Sequence, residues 1–287
     1  MAVVNTNANA SIAQNALARN ERAMNTAMER LSTGQRINSA SDDAAGLAIG
    51  SRMTSQIRGL ETGIRNANDA ISMIATADGA LIEVTNMLQR MRELALQASN
   101  GTTTSADRAY LSSEYANLLS EIDRIAENTQ WNGKTILNHA TPSSSTFAYQ
   151  VGANGGQTIA VDFGDMRNNG SGVFAALATG SHATITSTTT ASAITTGTSA
   201  VGLLDAAITA VNSQRATYGA AMNQLTYAVD NLSNVKVNAE ASRSRIMDAD
   251  YAVETSELAR TQIIQQAGTA MLAQANQLPQ TVLSLLQ

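Results

Sequence analysis

Closely spaced carboxylates are the residues of this sequence whose spacing most resembles a chemical site. Asp42 and Asp43 are neighbours, and Asp248 and Asp250 are two positions apart. The first pair follows Ser41, which we interpret as a helix N-cap, because carboxylates in the first turn of a helix are favoured by its dipole. The second pair has no histidine nearby to complete a metal site. We interpret both pairs as helix starts or solvated helix faces.

The two histidines give no catalytic arrangement either. His139 and His182 lie in loop-like sequence without an acidic residue nearby to orient an imidazole, so a nucleophile–base–acid triad is not predicted. The absence of cysteine excludes disulfides and thiolate metal sites. The sequence therefore predicts no enzyme, no cofactor and no metal site.

The composition indicates helices held together by many small contacts. The 287 residues include three Phe, six Tyr and one Trp. Aromatic side chains provide the largest packing areas in cores, so their scarcity favours long seams of smaller side chains. The net charge of −5, with both signs interspersed, predicts no nucleic-acid surface. No apolar run reaches the ~18 residues of a membrane span, and residues 1–8 do not resemble a secretory signal peptide.

Heptad spacing predicts an amphipathic first helix over residues 1–36, with apolar positions at alternating three- and four-residue steps. Asn20 is a polar member of this seam, and it either fixes the register between helices or is tolerated at a loose contact. Gly34 is predicted to end the helix in a left-handed conformation. The predicted seam consists of Val3, Thr6, Ala10, Ala13, Leu17, Asn20, Met24, Ala27 and Leu31.

The same spacing predicts further long helices. A second runs from about residue 43 to residue 99, and a third begins at a cap formed by Thr104 or Ser105. Because their connection is short, these two helices are expected to be antiparallel neighbours. A fourth begins near Gly202 and continues with some irregularity into the C-terminus, where Pro279 is expected to kink or break it. The C-terminal stripe, with a stutter between 271 and 275, comprises Ile264, Ala267, Met271, Ala275, Leu278, Val282 and Leu285.

The segment between the third and fourth helices has a different pattern. Alternating apolar residues near 147–163 flank Asn154-Gly155-Gly156 and predict a β-hairpin. Residues 179–200 are rich in Ser and Thr and carry no Asp, Glu, Lys or Arg, which is typical of an exposed loop, either O-glycosylated or undecorated. The predicted fold is mainly α, with long antiparallel coiled-coil helices and a small β-hairpin region.

Both ends of the sequence lack charged side chains, since no Asp, Glu, Lys or Arg occurs in residues 1–18 or 261–287. Chain ends are normally solvated and frayed, whereas these are amphipathic. The glutamines of the C-terminal segment argue against a lipid-spanning helix, because hydrocarbon leaves amides unpaired. We therefore expect both ends to pack on each other and on copies of the same chain, and to fold only on assembly.

Several long motifs, in the same order at both ends, resemble the bacterial flagellin family. The match covers about 140 N-terminal and 85 C-terminal residues, and the middle of the chain resembles no known segment. The motifs are LSTGQRIN at 31–38, SDDAAGLAI at 41–49, ISMIATADG at 71–79, LQRMRELA at 88–95, SRIMDADY at 244–251, IQQAG at 264–268 and VLSLL at 282–286.

The resemblance implies a structural subunit that self-assembles into a helical flagellar filament for swimming motility. The implied domains are a terminal coiled-coil domain (1–36 and 251–287) lining the inner tube, a linker (37–43), a rod-like helical domain (44–180 and 200–250) with the β-hairpin, and a surface loop (179–200). It also implies an extracellular location after export through the flagellar type III apparatus, with an export chaperone, a filament cap and junction proteins as partners. A hook–filament junction protein is the alternative, and it would form a short ring.

The resemblance further implies recognition by host innate immune receptors. The residues matching the Toll-like receptor surface, expected also to be buried between subunits, are Leu88, Gln89, Arg90, Glu93, Leu94 and Glu114. Leu283, Leu285 and Leu286 resemble the part read by a cytosolic inflammasome sensor, although Gln287 stands where some relatives have a basic residue. Terminal assembly contacts are expected from Leu17, Met24, Leu31, Ile264, Met271, Leu278, Val282, Leu283, Leu285 and Leu286.

Folding of the ends on assembly predicts a difference in proteolysis. A non-specific protease should trim both ends of dilute monomer, because ordering each residue costs about 1–2 kcal/mol of backbone entropy and a seam of Ala, Thr and Asn offsets little of it. The polymer should protect both ends. Mass spectrometry of the fragments measures the trimming, and equal resistance of monomer and polymer would contradict the expectation.

Overall fold

The computed structural model describes residues 7–139, 145–167 and 191–285. The described helices are α1 (Ala8–Thr33), α2 (Ala44–Ala98), α3 (Ser105–Asn128), α4 (Ala191–Met247) and α5 (Tyr251–Leu285). The described strands are β1 (Gln130–Trp131), β2 (Lys134–Thr135), β3 (Thr146–Gln150) and β4 (Thr158–Asp162). The prediction of a mainly α fold with long helices and a small β-hairpin region is confirmed.

The chain forms two compact units. The first unit contains residues 1–57 and 237–287, and the second contains residues 58–236. The unit boundaries therefore fall inside α2 and α4, not at the predicted linker of residues 37–43. The reason is that the backbone just before this linker, at Arg36, is hydrogen-bonded to Met247 within the first unit. The assignment of the terminal segments to a separate inner-tube domain stays a prediction.

In the first unit, α1 packs against α5. The Asn7 side chain caps the start of α1 by accepting a hydrogen bond from the Ala10 N–H at 3.1 Å. Gly34 ends the helix with φ at +70°, and its N–H donates to the Arg30 carbonyl. The predicted left-handed cap at Gly34 is confirmed.

The start of α2 differs from the prediction. Asp43, not Ser41, caps this helix, because its carboxylate accepts a hydrogen bond from the Gly46 N–H at 2.9 Å. Asp42 lies one residue before the cap and accepts the backbone N–H groups of Ser39 and Asn38, which lower the pKa of its carboxyl. Asp42 and Asp43 therefore have separate structural roles.

The start of α3 follows the prediction. The Thr104 hydroxyl accepts the Asp107 N–H, and the Asp107 carboxylate accepts the Thr104 N–H, so the two residues form a capping box. The Thr104 hydroxyl and N–H both lower the pKa of Asp107.

The core of the second unit lies between α2, α3, α4 and the strands. Its fully buried side chains include Leu81, Leu88, Met91, Leu94, Tyr115, Ile122, Phe163, Leu204, Val211, Tyr218 and Leu225. Aromatic rings connect the hairpin to α4, since Phe163 contacts both Phe147 and Tyr218 at centroid distances of 5.4 Å. The Tyr218 hydroxyl also donates to the Phe163 carbonyl at 2.7 Å.

Two antiparallel strand pairs follow α3. β1 and β2 are joined by Asn132 and Gly133, whose φ angles of 49° and 75° match the two-residue turn that Asn-Gly favours. β3 pairs with β4 in a register that places Phe147 opposite Val161. The hairpin predicted near residues 147–163 is confirmed.

Two helix boundaries differ from the predictions. α4 begins at Ala191 and not near Gly202, so residues 191–200 of the predicted loop are helical, while residues 179–190 lie outside the described residues. Leu204 is fully buried and anchors the helix, and each further turn toward the N-terminus then adds hydrogen bonds without a new nucleation cost. α5 runs without a break through Pro279. Within the described residues, none of the helices is long and apolar enough to cross a membrane.

The buried hydrogen bond of Tyr218 gives a stability prediction. Tyr218→Phe should destabilise the second unit by about 1–2 kcal/mol, because it leaves the buried Phe163 carbonyl without its donor. Urea unfolding followed by tryptophan fluorescence measures the change. Tyr227→Phe is the matched control, since Tyr227 is 75% exposed; equal midpoints for the two variants would contradict the assignment.

Candidate assembly and recognition surfaces

The first candidate surface is the terminal helix pair, which we define as α1 and α5. Their antiparallel contact is fixed at intervals by polar groups. The Asn7 amide donates to the Ala275 carbonyl at 2.9 Å, and the Arg30 guanidinium lies 3.0 Å from the Glu254 carboxylate. Arg30 is in the last turn of α1 and Glu254 in the first turn of α5, so each charge is placed where the dipole of its own helix favours it.

Asn20 is buried between the two helices, with 9% of its surface exposed. Its amide donates to the Thr261 carbonyl at 2.8 Å and to the Gln265 side-chain oxygen at 3.2 Å. The Thr261 residue is 2% exposed. These two acceptors satisfy the hydrogen-bond donors of the buried Asn20 amide. They are within reach only when α1 and α5 are aligned as observed.

The rest of the seam uses small side chains. Ala27 is 2% exposed, and Gly268 has no side chain at the point where Leu17 approaches, since a Cβ there would collide with the Leu17 methyl. The predicted seam residues Leu17, Met24 and Leu31 are each only half-buried. A seam of this kind permits close helix approach but buries little apolar area.

Only part of the predicted stripe on α5 meets α1, and this part includes the half-buried Ala275. Ile264 and Met271 are 41% and 66% exposed, because the contact uses a different face. Since α5 has no charged residue from Thr261 onward, it has apolar side chains on more than one face and periodicity alone cannot choose among them. Apart from the half-buried Glu257, the buried or half-buried positions form a stripe with no stutter, comprising Glu254, Leu258, Thr261, Gln265, Gly268, Leu272 and Ala275.

Large apolar side chains lie on the other faces of the pair. Ile12, Ile263 and Met271 are 65%, 66% and 66% exposed. They are therefore free to contact other molecules. Of the remaining predicted assembly residues, Leu278, Val282, Leu283 and Leu285 lie where only the helix backbone is described, and Leu286 lies outside the described residues.

The second candidate surface lies on α2 and α3 in the second unit. Arg90 on α2 lies 2.8 Å from the Glu114 carboxylate on α3 and 3.1 Å from that of Glu93 on its own helix. The hydrogen bond that Arg90 donates to Glu114, followed by the one that it donates to Glu93, raises the pKa of Arg90. These three residues and Gln89 are exposed. We call this group of four the Arg90 cluster.

Two residues of the predicted receptor surface, Leu88 and Leu94, are not on the surface. Both are fully buried in the core of the second unit, so neither is available to a receptor or a neighbouring subunit. They lie on the part of α2 that is buried in this core, two and four residues from the exposed Arg90, and they support the surface from below.

One contact that the sequence did not reveal lies where the helices of the first unit end. Gln35 pairs with Asp248 as an isolated antiparallel bridge. We call the paired segments, residues 34–36 and 247–249, the junction bridge. No periodicity or motif marks these residues as partners, because the bridge is made by backbone groups.

Two observations define the chemistry available to the described residues. No group of three or more His, Cys, Asp or Glu side chains among them could hold a metal ion. The histidine that is described, His139, is buried, and a ring nitrogen lies 2.9 Å from the Ile136 carbonyl.

The comparisons with known proteins show the family of the chain. Residues 4–141 match the model of the bacterial flagellin N-terminal helical region, and residues 201–286 match that of the C-terminal helical region. Flagellin A of Vibrio cholerae is 37% identical, with 99% of each chain covered. A flagellin of Halalkalibacterium halodurans is 46% identical, with 91% of each chain covered.

A solved structure of a candidate flagellar hook-associated protein from Vibrio parahaemolyticus has a TM-score of 0.58 with 15% identity, covering 72% of this chain and all of that one. At this identity the likeness shows the fold alone, whereas the flagellins match in sequence from end to end. The chain belongs to the bacterial flagellin family and is a structural subunit of a flagellar filament, not an enzyme.

Proposed function

We propose that subunits of this flagellin join through the outward faces of the terminal helix pair, and that the pair folds as they join. The observation that supports this proposal is the exposure of Ile12, Ile263 and Met271, each about two-thirds exposed, on helices with so few charges. An exposed apolar face is a usual mark of a protein interface. Copies of the same chain are the occupants, since the family forms homopolymers.

The narrow seam supports the coupling of folding to assembly. Ordering each residue of a helix costs about 1–2 kcal/mol, while apolar burial returns about 25 cal/mol per Å². The contacts of Ala27, Asn20 and Gly268 bury little apolar area, so the pair alone is marginal. Neighbouring subunits add burial on the outward faces, and a monomer with unfolded ends does not polymerise before it reaches the growing tip.

The proposal includes a location and transient partners. Residues 1–36 and 251–287 form the inner tube, and residues 44–180 and 200–250 form the outer rod. Export proceeds through the flagellar type III apparatus to the cell exterior. An export chaperone holds the C-terminal segment beforehand, and the filament cap and junction proteins contact the subunit at the two ends of the filament.

We also propose that the Arg90 cluster is a contact surface for a host Toll-like receptor and, in the filament, for a neighbouring subunit. Its three charged side chains lie together on one exposed face, held by the ion pairs that Arg90 makes with Glu93 and Glu114. The C-terminal leucines Leu283, Leu285 and Leu286 are proposed as the part read by a cytosolic sensor.

Electron microscopy distinguishes a filament subunit from the alternative, a hook–filament junction protein. A filament subunit forms micrometre-long polymers when concentrated protein is seeded, while a junction protein stops at a short ring. The flagellin relatives, at 37% and 46% identity over nearly the whole chain, favour the filament.

The outward apolar face gives a prediction for assembly. Ile263→Asp should raise the critical concentration for polymerisation by about tenfold or more, because it places a charge where a large apolar side chain, worth about 2 kcal/mol when buried, would contact a neighbour. Sedimentation of seeded protein measures the change.

Gln262→Asp is the matched control, since it adds the same charge at the adjacent exposed position of α5 without removing apolar area. The control is expected to stay within about threefold of the parent. Equal critical concentrations for the two variants would exclude an apolar contact at Ile263.

The Arg90 cluster gives a prediction for receptor signalling. Arg90→Ala should lower the response of receptor-bearing cells to monomer, because it removes the guanidinium that the cluster is built around. Arg124→Ala is the matched control, since Arg124 is also an exposed arginine paired with a glutamate three residues away, Glu121. An unchanged response to Arg90→Ala, or an equal loss with both variants, would remove the assignment.

A further inference from the structure

The interruption between α4 and α5 lacks the usual local causes. α4 ends at Met247 and α5 begins at Tyr251, yet residues 245–254 contain no glycine and no proline. The Asp250 carboxylate caps α5 by accepting the Ala252 N–H at 2.9 Å. Aspartate is only mildly unfavourable inside a helix, so the cap alone does not prevent one continuous helix.

The end of α4 receives its hydrogen bonds from another segment of the first unit. The Arg36 N–H donates to the Met247 carbonyl at 2.7 Å, and the Arg36 guanidinium donates to the Ile246 carbonyl at 2.7 Å. Across the junction bridge, the Ala249 N–H donates to the Gly34 carbonyl at 3.0 Å. Three hydrogen bonds therefore connect this bridge, and Arg36 supplies two of them.

These bonds compete with a continuous helix for the same acceptors. In an unbroken helix the carbonyls of Ile246 and Met247 would accept the N–H groups four residues later, those of Asp250 and Tyr251. Arg36 occupies both carbonyls instead. Its positive charge lies at the C-terminal end of α4, where the helix dipole favours a cation and where a charged donor gives a stronger hydrogen bond.

Gly34 brings the competing backbone into reach. Its φ of +70° turns the chain at the end of α1, and a Cβ at this position would lie 3.2 Å from the Tyr251 hydroxyl oxygen. The conformation suits glycine, because a residue with a side chain rarely adopts a positive φ. The end of α1 is thus shaped to deliver Arg36 to the end of α4.

We propose that Arg36 is a positioning residue that keeps α4 and α5 as two separate helices and thereby sets where α5 starts against α1. The interruption is imposed by this contact across the chain, not by the sequence of residues 245–254. When the Arg36 guanidinium is removed, the Ile246 carbonyl is free to accept the Asp250 N–H, residues 248–250 join the two helices into one, and α5 leaves its alignment in the terminal helix pair.

The first test is Arg36→Ala in the assembled polymer, with solid-state NMR of the 13Cα shifts of Asp248, Ala249 and Asp250. The shifts should move to helical values, and the critical concentration should rise about tenfold, the scale expected for a lost hydrogen bond to a charged group. Arg19→Ala is the control, because the Arg19 guanidinium bonds only a carbonyl of its own helix, that of Asn15. It should change neither quantity.

The second test separates positioning from simple stabilisation. Tyr251→Pro suits the first position of α5, where an N–H has no partner within the helix, but it forbids a continuous helix through residue 251. Combined with Arg36→Ala, it should restore the non-helical shifts and return the critical concentration to within about threefold of the parent. By itself, Tyr251→Pro should assemble like the parent.

Three results would overturn the proposal. The first is unchanged 13Cα shifts at residues 248–250 in Arg36→Ala polymer. The second is failure of the proline to rescue Arg36→Ala, whether that variant polymerises poorly or not at all. The third is failure of Tyr251→Pro alone to assemble. Assembly would then need the N–H of residue 251, which has no role when α4 and α5 are separate helices.

Discussion

The close approach of α1 and α5 depends on the small size of the residues between them. Gly268 leaves room for Leu17, and Ala27 is almost completely buried, so two long helices lie together with little apolar area between them. The alignment of α1 with α5 therefore depends on polar groups, chiefly the Asn20 amide and the ion pair of Arg30 with Glu254. A single buried amide is an effective way to fix alignment, because a shifted helix would leave it unsatisfied. The larger apolar side chains remain on the outward faces, where the proposed assembly uses them.

The second unit is stabilised in a different way. Phe147 and Tyr218 pack against Phe163. Ion pairs connect α2 to α4, including Arg92 with Asp205 and Arg215 with Asp78. Exposed ion pairs contribute little stability each, so the apolar core carries most of the free energy and the ion pairs favour one alignment. This unit has its own core, whereas the terminal helix pair has a thin seam. This difference supports the proposal that the second unit is folded in the monomer, while the terminal helix pair folds on assembly.

Local signals were sufficient for much of the fold. The cap at the start of α3, the glycine end of α1 and the hairpin near residues 147–163 each depend on neighbouring residues, and periodicity found the long helices. The face of α5 that meets α1 was not predictable, because several faces of an uncharged helix are apolar and only the partner selects one. The burial of Leu94 was not predicted for a related reason, since a motif does not say which of its residues point inward. The junction bridge was missed because backbone groups make it.

Trp131 gives the molecule a built-in optical label for one unit. It is the only tryptophan of the sequence, and it is half-buried against the core of the second unit. The first unit contains no tryptophan and a single tyrosine, Tyr251. Tryptophan fluorescence therefore reports unfolding of the second unit and not of the terminal helices. Unfolding of the terminal helices is detected by the loss of helical signal in far-ultraviolet circular dichroism. The two signals together resolve the unfolding of the two units in unlabelled protein.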